Sequence, residues 1–182
     1  MITMNPNQVE ESIKRAKPGI TQYLNIMRLF SQTNVARDQN FQTKYKAFYR
    51  VRQRPEEWYK TYFNYMENLK GHKVNFSEVL RYFKERLNRY EPSFSSKLVA
   101  THDPTRPVWD KYVLKNIGLV APSYNSPSKF DDAVAIYQRI EGWFCNYERS
   151  YEGAMIIRKF DELVPNHVSI TNTKKIDFVP RQ

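Results

Sequence analysis

Apolar residues recur along this chain at helical spacing, in runs that break at prolines. The first run predicts a helix over 20–30, with Ile20, Tyr23, Leu24, Met27 and Phe30 on one side, and the next a helix over 40–52 that ends before Pro55. Pro55 is placed to open a further helix, because a proline at a helix start gives up no needed donor. Glu56 and Glu57 then lie in the first turn, where carboxylates suit the positive end of the helix dipole. Trp58, Tyr62, Tyr65, Met66 and Leu69 form its apolar stripe, and Gly71 with His72 and Lys73 ends it. Asn75 precedes the cleanest periodicity, Phe76, Val79, Leu80, Phe83, Leu87 and Tyr90, which predicts a core-facing helix. A short helix over 95–101 is closed by Asp103-Pro104. Another starts within 107–110, carries Val113, Leu114 and Ile117, and stops at Gly118. After a loop at 122–128, Phe130, Val134, Tyr137, Ile140, Phe144 and Tyr147 mark a long amphipathic helix. Two last pieces, 154–163 and 170–178, complete the series, the second with Lys174 and Lys175 beside Ile176 and Phe178.

Composition narrows this to an all-α, compact helical domain. Hydrophobic residues make up 41% and aromatics 15% of 182 residues, which is enough for one core, while 5 glycines leave little of the punctuation an all-β fold needs. The chain is read as one domain over 1–182, with 1–37 as an N-terminal helical extension. Lysine and arginine number 29 against 19 acids, a net charge of +10 that suits a polyanionic partner, although a basic protein need have no such ligand. The lone cysteine, Cys145, excludes an internal disulfide, and its neighbours Trp143, Phe144 and Tyr147 place it in the core. Residues 1–17 lack the apolar stretch of a signal peptide and no run has transmembrane length, so a cytoplasmic protein with no membrane partner is expected.

Two stretches carry candidate chemistry. Residues 44–54 hold five cations and no acid in eleven positions, and a helix there sets Lys46, Arg50 and Arg54 in one row above Tyr45, Phe48 and Tyr49, with Arg52 nearby. Such a row tracks phosphates, or is a solvated basic face over buried aromatics. In the second, Ser93, Ser95 and Ser96 lie where one helix ends and another begins, a place where uncapped amides hold anions. Lys97 follows in the first turn. Asp110, within Pro107-Val108-Trp109-Asp110-Lys111-Tyr112-Val113, starts the next helix, so the two helix starts are expected to converge on one cleft.

Over residues 91–118 this arrangement resembles the catalytic core of the helix-hairpin-helix DNA glycosylases, in particular the 8-oxoguanine DNA glycosylase branch. There a hairpin leads into a helix carrying a lysine nucleophile, and a Pro-Val-x-Asp-like segment supplies a carboxylate. The resemblance implies that Lys97 is the nucleophile and Asp110 the carboxylate, with Ser93, Ser95 and Ser96 in the hairpin approach. It implies excision of a damaged or modified base flipped out of double-stranded DNA, with or without lyase chemistry, and the role expected of such an activity is repair or, as a conjecture beyond the resemblance, defence against phage with modified DNA. Two departures stand out: Ser93-Phe94-Ser95 replaces the family's Gly-x-Gly hairpin, and 13 positions separate Lys97 from Asp110, fewer than the family shows. Thr101, one turn beyond Lys97, and Trp143 and Phe144 are candidates for the base pocket.

Without the resemblance, Lys97 reads as a surface lysine and Asp110 as an N-cap worth about 1 kcal/mol. His72, His102 and His167 lack metal-ligand spacing and no glycine-rich nucleotide loop is present, so neither a metal nor an organic cofactor is expected. Two other functions fit the same charge: a DNA-binding module of this fold without catalysis, and a basic helical scaffold that binds an acidic protein.

Overall fold

The computed structural model describes residues 4–179, and its regular elements there are all helical: α1 Pro6–Gln32, α2 Gln39–Phe48, α3 Glu56–Asn68, α4 Phe76–Leu87, α5 Pro92–His102, α6 Lys111–Asn116, α7 Lys129–Glu148, α8 Tyr151–Leu163, a 3-10 turn His167–Ser169 and α9 Asn172–Phe178. No described helix is long and apolar enough to cross a membrane.

The first helix is much longer than its predicted 20–30 span. It starts at a capping box, in which Asn5 and Gln8 each bond the other's backbone amide, and it runs through Pro18. An interior proline costs about 3 kcal/mol. Pro18 is exposed, while Val9 and Ile13 before it and Ile20, Tyr23, Ile26 and Leu29 after it are all buried, and that burial outweighs the break. The 1–37 segment therefore supplies core residues, and α1 packs against α2, α8 and α9.

The helix predicted over 40–52 stops earlier, at Phe48. Arg50 takes a left-handed φ of 54°, the Arg50 amide donates to the Ala47 carbonyl, and the Val51 amide donates to the Lys46 carbonyl. These two bonds are those of a Schellman ending, with buried Val51 sealing it. Glycine usually fills the left-handed position, so a sequence with arginine there reads as unbroken helix.

The next two helices follow the sequence closely. Asn75 accepts from the Glu78 amide as the cap of α4, and α3 follows Pro55 directly. Trp58 stacks on Tyr62 at 4.8 Å and Tyr62 on Phe83 at 5.4 Å, so a column of rings joins α3 to α4. From α4, Asn88 turns the chain at φ 50° toward α5. The long α7 packs against α4, α8 and α9.

Cys145 is exposed, against the expectation that it lies in the core. The buried face of α7 is Ala133, Tyr137, Ile140, Phe144 and Tyr147, and one residue of helical rotation carries Cys145 off that face. Sequence neighbours of a helical residue do not share its side.

Candidate functional site

Lys97 stands in the middle of α5 rather than in the first turn that the sequence suggests, because the helix already begins at Pro92. Its Nζ donates to the Ser93 hydroxyl at 3.2 Å and to the Tyr49 carbonyl at 3.4 Å, and lies 4.7 Å from the centre of the Phe94 ring. Beneath it, Thr101 donates to the Lys97 carbonyl at 2.7 Å and lies 3.4 Å from the Tyr45 hydroxyl. Tyr45 and Tyr62 are bonded at 2.8 Å, and Tyr62 donates to the Phe94 carbonyl at 3.0 Å. This buried network fixes the turn of α5 that carries the lysine.

Asp110 is reached through Val108 and Trp109, both buried, with Phe76 stacked between Trp109 and Tyr137. Its Oδ1 accepts from the amides of Tyr112 and Val113 at 2.8 and 2.9 Å, so it caps the short α6. One hydrogen bond ties the two halves of the site together. The Ser96 hydroxyl, one residue before Lys97, accepts from the amide of Trp109, one residue before Asp110, at 2.8 Å.

Lys97 and Asp110 line the same cleft, of 450 Å³. Tyr49 and Arg50 from the end of α2, and Lys174, Asp177 and Phe178 from α9, line it with them. Burial holds Lys97 below the ordinary lysine pKa; Asp110 pulls it upward, Arg54 adds to the lowering, and Asp177 and Glu91 oppose it. Lys174 behaves in the opposite way. Burial works against its charge, yet Asp177 at 2.5 Å and the phenols of Tyr49 and Tyr23 hold its pKa well above the ordinary value. The cleft thus contains one lysine disposed to lose its proton and one held as a cation.

A second cavity, of 180 Å³, lies beside the first and shares Asp110, Tyr112 and Asp177 with it. Trp143 and Phe144 line it together with Asn116, so these two candidates sit on the far side of the Asp110–Asp177 wall from Lys97. Thr101 does not line either space. It is 1% exposed, turned inward by its bond to the Lys97 carbonyl, which corrects its placement as a base-contacting residue.

The expected hairpin at 93–95 is instead the first turn of α5, which begins at Pro92. Ser95 and Ser96 are fully buried, with Ser95 donating to the Glu91 carbonyl and Ser96 to the Ser93 carbonyl, so neither presents a hydroxyl to an outside phosphate. Ser93 is partly exposed and occupied by Lys97. The basic row also separates once α2 ends at Phe48. Lys46 lies over the Tyr59 ring at 5.0 Å, Arg54 pairs with Glu91 at 3.1 Å, and Arg50 and Arg52 are exposed, with Arg50 on the cleft.

Sequence reasoning missed Tyr49, Asp177 and Phe178 as cleft residues, and noted Lys174 only as half of a basic pair. Their approach depends on how α9 docks. Thr171 donates to the Pro104 carbonyl at 2.5 Å, Thr173 to the Thr105 carbonyl at 3.0 Å, and Lys175 pairs with Asp161 at 2.6 Å. These contacts join residues far apart in the chain, which no local pattern announces. The chain matches no known family model, no curated protein and no solved structure.

Proposed function

We propose that the protein is a DNA glycosylase of helix-hairpin-helix type, with Lys97 as nucleophile and Asp110 as the carboxylate that steadies the developing positive charge on the sugar. The observation that carries this reading is the pairing of a half-buried lysine of lowered pKa with an aspartate in one cleft. In this reading α4, the tight connection through Asn88 and α5 serve as the helix-hairpin-helix element. The resemblance over 91–118 to the 8-oxoguanine branch supports the same roles.

The reaction follows from lysine chemistry. The lone pair of Nζ forms a bond to C1′ as the C1′–N bond breaks and its electron pair leaves with the base. The base takes up a proton and Nζ gives one up. The nitrogen lone pair then forms the C1′=N bond as the C1′–O4′ bond opens, O4′ leaves with that bond's electron pair and takes up the remaining proton of Nζ, and the adduct becomes an imine. The flipped base itself would occupy the second cavity, against Trp143 and Phe144, with Asp110 at the wall near the breaking bond. Exposed Arg50 and Lys111 line the cleft and, with exposed Arg52 two residues on from Arg50, would meet the phosphate backbone.

The test is a panel of duplexes bearing different modified bases, scored for abasic sites and for a covalent adduct on borohydride reduction. On a duplex that is processed, Lys97→Gln is expected to abolish the adduct and to leave most DNA binding, because one lysine is a small part of a net charge of +10. Excision unchanged by Lys97→Gln would move the chemistry to Asp110 and an activated water. A module that binds DNA without catalysis is the second reading, favoured by the inward-turned Ser95 and Ser96; it predicts binding with no abasic sites on any duplex.

A further inference from the structure

Arg54 fits the sequence picture of a phosphate contact poorly, because its side chain is drawn into the protein. Its Nη2 lies 3.1 Å from Oε2 of Glu91, whose side chain is 8% exposed, and the indole of Trp58 donates to the other Glu91 oxygen at 3.2 Å. The guanidinium carbon lies 5.1 Å from the Phe94 ring centre and 5.6 Å from that of Trp58. Phe94 is the same ring that Lys97 approaches at 4.7 Å. Two cations therefore share one aromatic ring at the head of α5, and only one of them has a carboxylate bonded to it there.

We propose that Arg54, clamped by Glu91 against Phe94, is a positioning residue that acts on Lys97 through space and raises the share of Lys97 present as the neutral, nucleophilic amine. This rests on the reading of Lys97 as a nucleophile and deepens it. A fixed neighbouring cation disfavours a second positive charge, and it activates a lysine without touching the reacting atoms. Arginine suits the task because it keeps its charge at any working pH. The groups that act on Lys97 are Asp110 ahead of α6, Asp177 on α9, Glu91 at the start of α5, Arg54 ahead of α3, and Tyr49 at the end of α2, while Arg50, Lys111 and Lys174 also line its cleft. Three of these are acids that favour the ammonium form. Among the cations, Arg54 is the one that shares the Phe94 ring with Lys97 and opposes these acids, and Glu91 both holds it in place and moderates its effect.

The opposite signs of the two partners make the test. Lys97 in the whole protein is labelled with formaldehyde and cyanoborohydride and followed by peptide mass spectrometry across pH, with no DNA present. The amine attacks formaldehyde, water leaves, and hydride reduces the iminium to the methylamine, so the early rate reports the free amine. At a fixed pH below the midpoint, Arg54→Gln is expected to slow labelling of Lys97 on the order of threefold, and Glu91→Gln to speed it, since Gln keeps an acceptor for Trp58 but loses the charge. Arg54→Lys, which restores a cation, is expected to stay close to the parent protein. A merely structural pair would move both variants the same way. That result, or an Arg54→Lys profile that follows Arg54→Gln, overturns the proposal, with circular dichroism confirming that each variant is folded. If Arg54→Gln does not fold, the Arg54→Lys and Glu91→Gln pair decides: an unchanged or slower Glu91→Gln rate overturns it. Opposite shifts in a protein that excises no base would leave this inference standing and remove the glycosylase reading instead.

Discussion

Ser96 shows how much of the site depends on one hydroxyl. It donates to the Ser93 carbonyl at 2.9 Å within α5 and accepts from the Trp109 amide at 2.8 Å, and so sets the distance between the lysine helix and the strand of chain that ends at Asp110. Ser96→Ala keeps the volume nearly unchanged but leaves the buried Trp109 amide without its acceptor, at a cost of about 1–3 kcal/mol. If Lys97 and Asp110 act together, that variant remains folded and loses more turnover than substrate binding, as single-turnover kinetics would show. His102 carries a different residue-scale consequence. Burial lowers its pKa to about 4, with Lys70 adding to the lowering and the Met66 backbone and Glu67 opposing it. Between about 4 and the free value of 6.5 the unfolded chain binds the proton and the folded one does not, so stability falls as pH drops through that window. His102→Leu, packed against Phe30, is expected to lose less stability between neutral pH and about pH 4 than the parent, read from urea midpoints.

At the scale of elements, the joint between α7 and α8 has no room to spare. A Cβ added at Gly153 would lie 1.9 Å from the Tyr147 carbonyl oxygen and 2.8 Å from its carbon, both backbone atoms. Gly153→Ala must therefore push the two helices apart, and a loss of about 1–3 kcal/mol or more in thermal or urea unfolding is expected; unchanged stability would mean the joint yields freely. This close approach was hidden in the sequence, where Gly153 sits just ahead of the predicted 154–163 helix. What the sequence did disclose is local. The cap Asn75, the proline at 55 and the periodic faces of α3 and α4 need only neighbours within a turn or two. The full length of α1 was obscured by Pro18, and the end of α2 by an arginine in a glycine-type conformation. The site divides in the same way. Asp110 was legible as a helix start, and the cleft it shares with Lys97 follows from a short connection, whereas Lys97 lies in the middle of α5 rather than in the first turn expected of it, and Asp177 and Phe178 reach the cleft only through the docking of α9.

Across the whole molecule the net charge is +10, but not all of the 29 cations are free to meet a partner. Arg54, Lys174 and Lys175 are paired with Glu91, Asp177 and Asp161, and Arg106 with Glu141, so none of these cations is simply a surface charge. A polyanion would meet those that remain outside, and where they lie decides what binding means. Arg50 stands at the mouth of the Lys97 cleft with Arg52 close in sequence, whereas Arg81 and Lys84 line a separate depression between α4 and α7. Both pairs remove the same charge when replaced by alanine. Binding to a DNA duplex is expected to weaken steeply with salt, and the slope of log affinity against log salt scales by about 0.9 with every phosphate that the protein neutralises. If the backbone lies across the cleft, Arg50→Ala with Arg52→Ala flattens that slope by nearly two phosphates' worth, while Arg81→Ala with Lys84→Ala changes it little. Equal flattening by the two pairs would show a diffuse attraction with no preferred face, and DNA would then have no reason to present a base to Lys97. Binding that ignores salt altogether, or is absent at low salt, would remove nucleic acid as the partner.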